Sequence, residues 1–144
     1  MIQVVPYKAA HFESLTAQEG QAYLRAEFTM EQAAALEGTA NAFTALDESG
    51  AVLCSAGVVE YWPNRAEAWA FVSPLAKKEG FAVTRAVRRF LHITPIRRVE
   101  AAVDINFVEG VRWVNALGFS LASPWPMKAY KPDGADCWLY ARVK

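Results

Sequence analysis

The sequence predicts a single α+β domain, and three observations carry that prediction. The 144 residues are 53% hydrophobic and 21% charged, enough apolar material for one core and too much for a disordered or disulfide-stapled chain. Three runs rich in β-branched and aromatic residues succeed one another between residues 42 and 73, separated by short turns, as in an antiparallel meander. Beyond them, segments of helical periodicity alternate with short apolar runs, so the predicted order is β, α, α, β, β, β, α, β, α, β, β.

Ile2–Pro6 alternates apolar and polar residues and reads as the first strand. Thr16-x-x-Glu19 and Thr29-x-x-Gln32 have the capping-box spacing, in which the side chains satisfy backbone N–H groups at a helix start. They predict helices over Ala17–Phe28 and Met30–Glu37, the second ended by Gly38. The meander is Ala42–Leu46, Ala51–Trp62 and Glu67–Ser73, with turns at Asp47–Gly50 and Pro63–Arg65.

Val83, Ala86, Val87, Phe90 and Leu91 fall at i, i+3, i+4, i+7 and i+8, the stripe of an amphipathic helix. Its other face, Arg85, Arg88, Arg89 and His92, is cationic, and Pro95 stops it. Val99–Asp104 is an apolar run suited to a central strand. Phe107–Leu117 is helical again and stops at Gly118; Phe119–Ala122, a proline-rich loop and the strand Cys137–Val143 complete the chain.

Fifteen basic and fifteen acidic residues cancel, which argues against a nucleic-acid binder. The charges are segregated: residues 1–76 hold three basic groups against nine carboxylates, and residues 77–144 hold twelve against six. Cys54 and Cys137 have no Cys or His partner at metal-ligand spacing, so a reduced, buried pair and no metal are expected. No apolar run reaches the roughly 18 residues of a membrane span, and no secretory pattern opens the chain, so a cytoplasmic protein without membrane contact is expected.

The sign change falls at Lys77, in the segment Phe71-Val72-Ser73-Pro74-Leu75-Ala76-Lys77-Lys78-Glu79-Gly80-Phe81-Ala82. A strand feeding a loop that opens a helix presents backbone N–H groups and the positive end of the helix dipole, which is what a phosphate requires. Gly80 and Ala82 let a ligand approach the backbone, and Lys77 and Lys78 add charge.

Lys77-x-x-Gly80-x-Ala82, Asn106 after the strand ending at Asp104, and Leu117-Gly118-Phe119 together resemble the GNAT-type N-acetyltransferases. That family carries Q/R-x-x-G-x-G/A at the first place, an Asn at the second and Leu-Gly-Phe at the third. The resemblance covers nearly the whole chain. It implies a central mixed, mostly antiparallel sheet of six to seven strands flanked by about four helices. It also implies acetyl-CoA, or another acyl-CoA, as cofactor, with Phe71, Val72, Ser73, Lys77, Lys78, Glu79, Gly80, Phe81, Ala82 and Asn106 as its contacts. Acetyl transfer to a small-molecule or protein amine then needs a base, for which Glu60, Glu67 and Asp104 are the candidates, and an acid. The family's usual acid tyrosine lies four residues before the Gly, where this chain has Val114, so Tyr130 in the proline-rich loop is the candidate here.

A narrower resemblance joins Val83-Thr-Arg-Ala-Val-Arg-Arg-Phe-Leu91, Glu100-Ala-Ala-Val-Asp104 and Val111-Arg-Trp-Val-Asn-Ala-Leu-Gly-Phe119. It looks like small GNAT-like proteins of tailed bacteriophages and prophages, some of them internal virion proteins. That implies the alternative of a non-catalytic assembly protein with a virion partner. Acidic Glu13, Glu19, Glu27, Glu31 and Glu37 lie where acceptor pockets of this fold form and favour a cationic amine. An exposed edge strand, or Trp125 held between Pro124 and Pro126, could support a homodimer.

Overall fold

A computed structural model describes residues 1–15, 30–38 and 41–144. Its strands are β1 (Gln3–Pro6), β2 (Ala42–Leu46), β3 (Val52–Trp62), β4 (Arg65–Val72), β5 (Arg98–Asp104), β6 (Ser120–Leu121) and β7 (Cys137–Val143). The helices among the described residues are α1 (Ala9–Ser14), α2 (Met30–Ala35), α3 (Gly80–Ile93) and α4 (Val108–Ala116), with a 3-10 segment over Pro74–Glu79. The strands form a seven-stranded sheet in the order β1-β2-β3-β4-β5-β7-β6. β4 and β5 pair in parallel, while β1–β2, β2–β3, β5–β7 and β6–β7 pair antiparallel, so the α+β class and mixed sheet are as expected. Contacts divide the chain into two compact units, Met1–Val58 with Trp69–Thr94 and Val59–Ala68 with Pro95–Lys144.

In the first unit, β2 is buried from Ala42 to Ala45. Its Phe43 ring lies 5.2 Å from Phe90 of α3, while the next residue, Thr44, reaches His11 of α1. Strand alternation therefore places α3 on one face of β2 and α1 on the other. α3 turns Val83, Val87 and Leu91 inward and leaves Arg85, Arg88, Arg89 and His92 exposed, the division its periodicity predicts. On the α1 face, Phe12, Leu15, Ala33 and Phe71 form a buried cluster with Trp69 packed against it. Each large side chain so buried contributes roughly 1.5–3 kcal/mol. Gly57 is required by crowding: a Cβ there would stand 2.3 Å from the Asn41 carbonyl oxygen, which accepts the Val58 N–H at 2.8 Å.

In the second unit, β5 is paired with β7 along its length, from Arg98↔Val143 to Asp104↔Cys137. α4 buries Val114 and ends in a Schellman turn, in which the Phe119 N–H bonds the Val114 carbonyl at 3.1 Å and the Gly118 N–H bonds Asn115 at 3.0 Å. Gly118 takes φ 92 to close it, which gives Leu117-Gly118-Phe119 a structural reason to exist.

Two elements differ from expectation, and one expected element lies outside the described residues. α1 has no Ser, Thr, Asp or Asn at its N-cap; instead His11 Nδ1 accepts the Lys8 N–H at 3.0 Å and does the work of a capping-box carboxylate. The expected loop after β4 is the 3-10 segment, started by Pro74 and capped by the Ser73 hydroxyl, which accepts the Leu75 N–H at 3.1 Å. The expected helix Ala17–Phe28, with Thr16, Glu19, Glu27 and Thr29, lies outside the described residues. Cys54 and Cys137 are free and buried, as expected. Among the described residues no helix is long and apolar enough to cross a membrane.

Candidate functional site

Two groups of residues hold the sequence candidates, one in each unit. In the first, Phe71 and Ser73 are buried, Val72 is half-buried, and Lys77 and Lys78 stand exposed at the end of the 3-10 segment. The Ser73 N–H donates to the Leu53 carbonyl at 2.9 Å, so both polar groups of Ser73 named here serve the local fold. α3 begins directly at Gly80 with helical angles of −55° and −38°. No acidic residue occupies its first turn, and the N-cap Glu79 makes no side-chain cap hydrogen bond. A 14-residue helix thus points its positive end outward beside two exposed lysines. Phe81 is 78% exposed, with the Arg85 guanidinium 4.8 Å from its ring centroid. Ala82 is half-buried.

Gly80 is the informative residue. Its φ is negative, and a Cβ built there would meet nothing within 4 Å. Neither strain nor crowding among the described residues calls for glycine, so its lack of a side chain suits a ligand that must reach the backbone. These residues fit the pyrophosphate of a nucleotide cofactor.

In the second unit, β3 and β4 are joined by Pro63 and Asn64, the latter at φ 76, a region Asn tolerates. The reversal brings Tyr61 to Glu67: the Tyr61 hydroxyl donates to Glu67 Oε2. From the proline-rich loop, the Tyr130 hydroxyl donates to Glu67 Oε1 at 3.3 Å. The hydrogen bond to Glu67 is the main cause that pushes the Tyr61 phenol up to about 12. Burial, then the Glu67 charge, raises Tyr130. Both phenols therefore hold their protons at neutral pH.

Beside this group the Arg65 guanidinium lies 4.9 Å from the Tyr61 ring centroid and 4.5 Å from that of Trp62. Arg65 Nη2 and Nε donate to Glu100 Oε1 at 2.8 and 3.2 Å, and Arg98 Nε donates to Glu100 Oε2 at 2.6 Å. The bond from Arg65 is the leading cause that holds the Glu100 carboxyl below its usual range.

Asp104 is engaged elsewhere. Its Oδ2 takes the Lys131 ammonium at 2.5 Å and its Oδ1 accepts the Asn106 N–H at 2.8 Å. The Lys131 bond lowers its pKa, which makes it a weaker proton acceptor than an unpaired carboxylate. The Asn106 residue is exposed. Glu60 is exposed on β3, and strand alternation turns it away from the face of Tyr61.

Of the candidate acid–base residues, the fold joins Glu67 and Tyr130 by a hydrogen bond, while Asp104 is paired with Lys131, the residue next to Tyr130. Sequence reasoning missed Tyr61, Arg65, Glu100 and Lys131. None of the four carries a spacing signal in the sequence; Tyr61 is identified only by its hydrogen bond to Glu67.

No protein-family model matches the chain, and no curated protein matches it in sequence. Solved structures do match. A GCN5-related N-acetyltransferase from Kribbella flavida aligns over 99% of this chain and 98% of its own, at 20% identity and a TM-score of 0.71. A GNAT superfamily phosphinothricin acetyltransferase from Sinorhizobium meliloti, solved with acetyl-CoA, aligns over 99% and 88%, at 21% identity and a TM-score of 0.69. Mutant forms of the spermidine/spermine N-acetyltransferase SpeG from Vibrio cholerae align over 99% and 95%, at 12% identity and a TM-score of 0.66. The chain has the GNAT fold.

Proposed function

We propose that this protein is an acetyl-CoA-dependent N-acetyltransferase acting on a primary amine. The observation that carries the reading is Glu67 with Tyr130 at 3.3 Å, a carboxylate base beside a phenol that keeps its proton, on a GNAT fold. Bound acetyl-CoA supplies the activated acyl group as a thioester. Glu67 Oε1 accepts the proton of the amine, and the Tyr130 hydroxyl holds a proton for the departing sulfur. The N–H groups of Gly80, Phe81 and Ala82, with Lys77 and Lys78, bind the pyrophosphate. Phe71 and Val72 of β4 line the pantetheine, with Ser73, Glu79 and Asn106 as further contacts of the cofactor.

Exposed Glu13, Glu31 and Glu37 on and after α1 and α2 favour a cationic acceptor, and spermidine, the substrate named for SpeG, is a suitable first probe. Calorimetric titration with acetyl-CoA is expected to show saturable binding that Gly80→Asp removes. Absence of binding at millimolar acetyl-CoA overturns the reading.

A further inference from the structure

We infer that Tyr61 is the positioning residue for Glu67: its phenol fixes Oε2 and thereby presents Oε1 as the oxygen that receives the proton. The inference rests on Glu67 being the base and adds a residue whose role is distinct from that of Tyr130.

The two phenols bonded to Glu67 are held differently. Tyr61 donates to Oε2 from the end of β3, beside the turn into β4, and the Arg65 guanidinium lies 4.9 Å from its ring centroid. Arg65 is itself fixed by two bonds to Glu100, which is fixed in turn by Arg98. A continuous chain Arg98–Glu100–Arg65–Tyr61–Glu67 thus ends on one oxygen of the carboxylate. Tyr130 reaches the other oxygen at 3.3 Å, at the long end of the hydrogen-bond range, from a loop rather than a strand. An incoming amine exchanges with that weaker donor and leaves the Tyr61 bond in place.

A glutamate side chain free to turn offers either oxygen from many rotamers, and few of them face a substrate. One strong O–H donor to the anionic form removes that freedom without itself taking the proton. Tyr61 touches no reacting atom in this account; it acts through Glu67.

The test uses the whole protein in two arms. In the first, NMR of isotope-labelled tyrosine in the unliganded protein follows each phenol through its titration. With Glu67→Gln, the Tyr61 phenol is expected to titrate lower, moving from about 12 toward the ordinary value of about 10. An unchanged Tyr61 titration overturns the inference, and this arm needs no turnover. In the second, acetylation of spermidine by acetyl-CoA is compared across variants. Tyr61→Phe keeps the ring over Arg65 and loses only the hydroxyl, so kcat is expected to fall roughly tenfold with both KM values within about twofold. Glu67→Gln inactive while Tyr61→Phe keeps full kcat overturns the positioning role. Glu67→Gln fully active overturns the base assignment instead, with the titration arm still deciding whether Tyr61 holds the carboxylate.

Discussion

The Lys131 ammonium and the Asp104 carboxylate meet at 2.5 Å with only 8% and 13% of their side chains exposed. The pair ties the proline-rich loop to the end of β5, one residue from Tyr130. Removing Lys131 leaves an enclosed carboxylate, and removing Asp104 leaves the ammonium with the more distant Asp133 Oδ2 at 3.8 Å. Lys131→Met is expected to cost about 3 kcal/mol and Asp104→Asn less, with the double variant clearly below their sum. Urea unfolding of the four proteins measures the coupling; additive losses would deny it.

Gly80 separates folding from binding. With φ at −55° and open space around a Cβ, Gly80→Ala restricts the unfolded chain without cost in the folded one. Stability is expected to rise by about 0.5–1 kcal/mol while acetyl-CoA binds more weakly. Thermal unfolding and calorimetry on one sample check both halves.

His11 gives the fold a pH dependence above the carboxylate range. Its Nδ1 accepts the Lys8 N–H at 3.0 Å and lies 2.8 Å from the Thr44 hydroxyl, which meets Ser55 at 2.9 Å. Burial first, then the Lys8 charge, holds its pKa below 6.5, against a smaller opposing effect of Glu37. The unfolded chain therefore binds the proton more readily between the folded value and 6.5. This contribution is complete above 6.5 and is lost as pH falls through that window. Denaturation midpoints across it should show a slope that His11→Gln flattens.

Tyr7 is buried at 3% exposure, and among the described residues its hydroxyl has no hydrogen-bond partner. Its ring packs against Trp69 at a centroid distance of 5.5 Å, and the Trp69 indole N–H likewise has no hydrogen-bond partner among the described residues. Tyr7→Phe keeps the packing and removes an unsatisfied polar atom. It is expected to be neutral or to stabilise by up to about 1 kcal/mol in a thermal melt.

Hydrophobic periodicity made most of the scaffold legible. Ala42–Leu46 and Cys137–Val143 are observed at the predicted limits, because each is a short, mostly apolar run bounded by turn residues. α3 extends three residues before the predicted Val83, since Gly80 and Ala82 carry no apolar signal. α1 escaped because its cap is made by a histidine, outside the usual residue vocabulary. Within the site, Glu67 and Tyr130 were nameable as chemistry-bearing residues, yet nothing in one dimension ranks Glu67 above Glu60 or Asp104. The ranking comes from partners: Asp104 is spent on Lys131, and Glu67 is met by two phenols from a hairpin and a distant loop.

Cys54 and Cys137 are sealed at 0% and 1% exposure, and burial pushes their thiols up to about 12 and about 11. One sits in each compact unit. Since the thiolate is the form that reacts with alkylating reagents, the folded protein is expected to resist them at neutral pH. Each cysteine then serves as an intrinsic chronometer of opening for its own unit, and mass-resolved labelling would time the two openings separately without a single added probe.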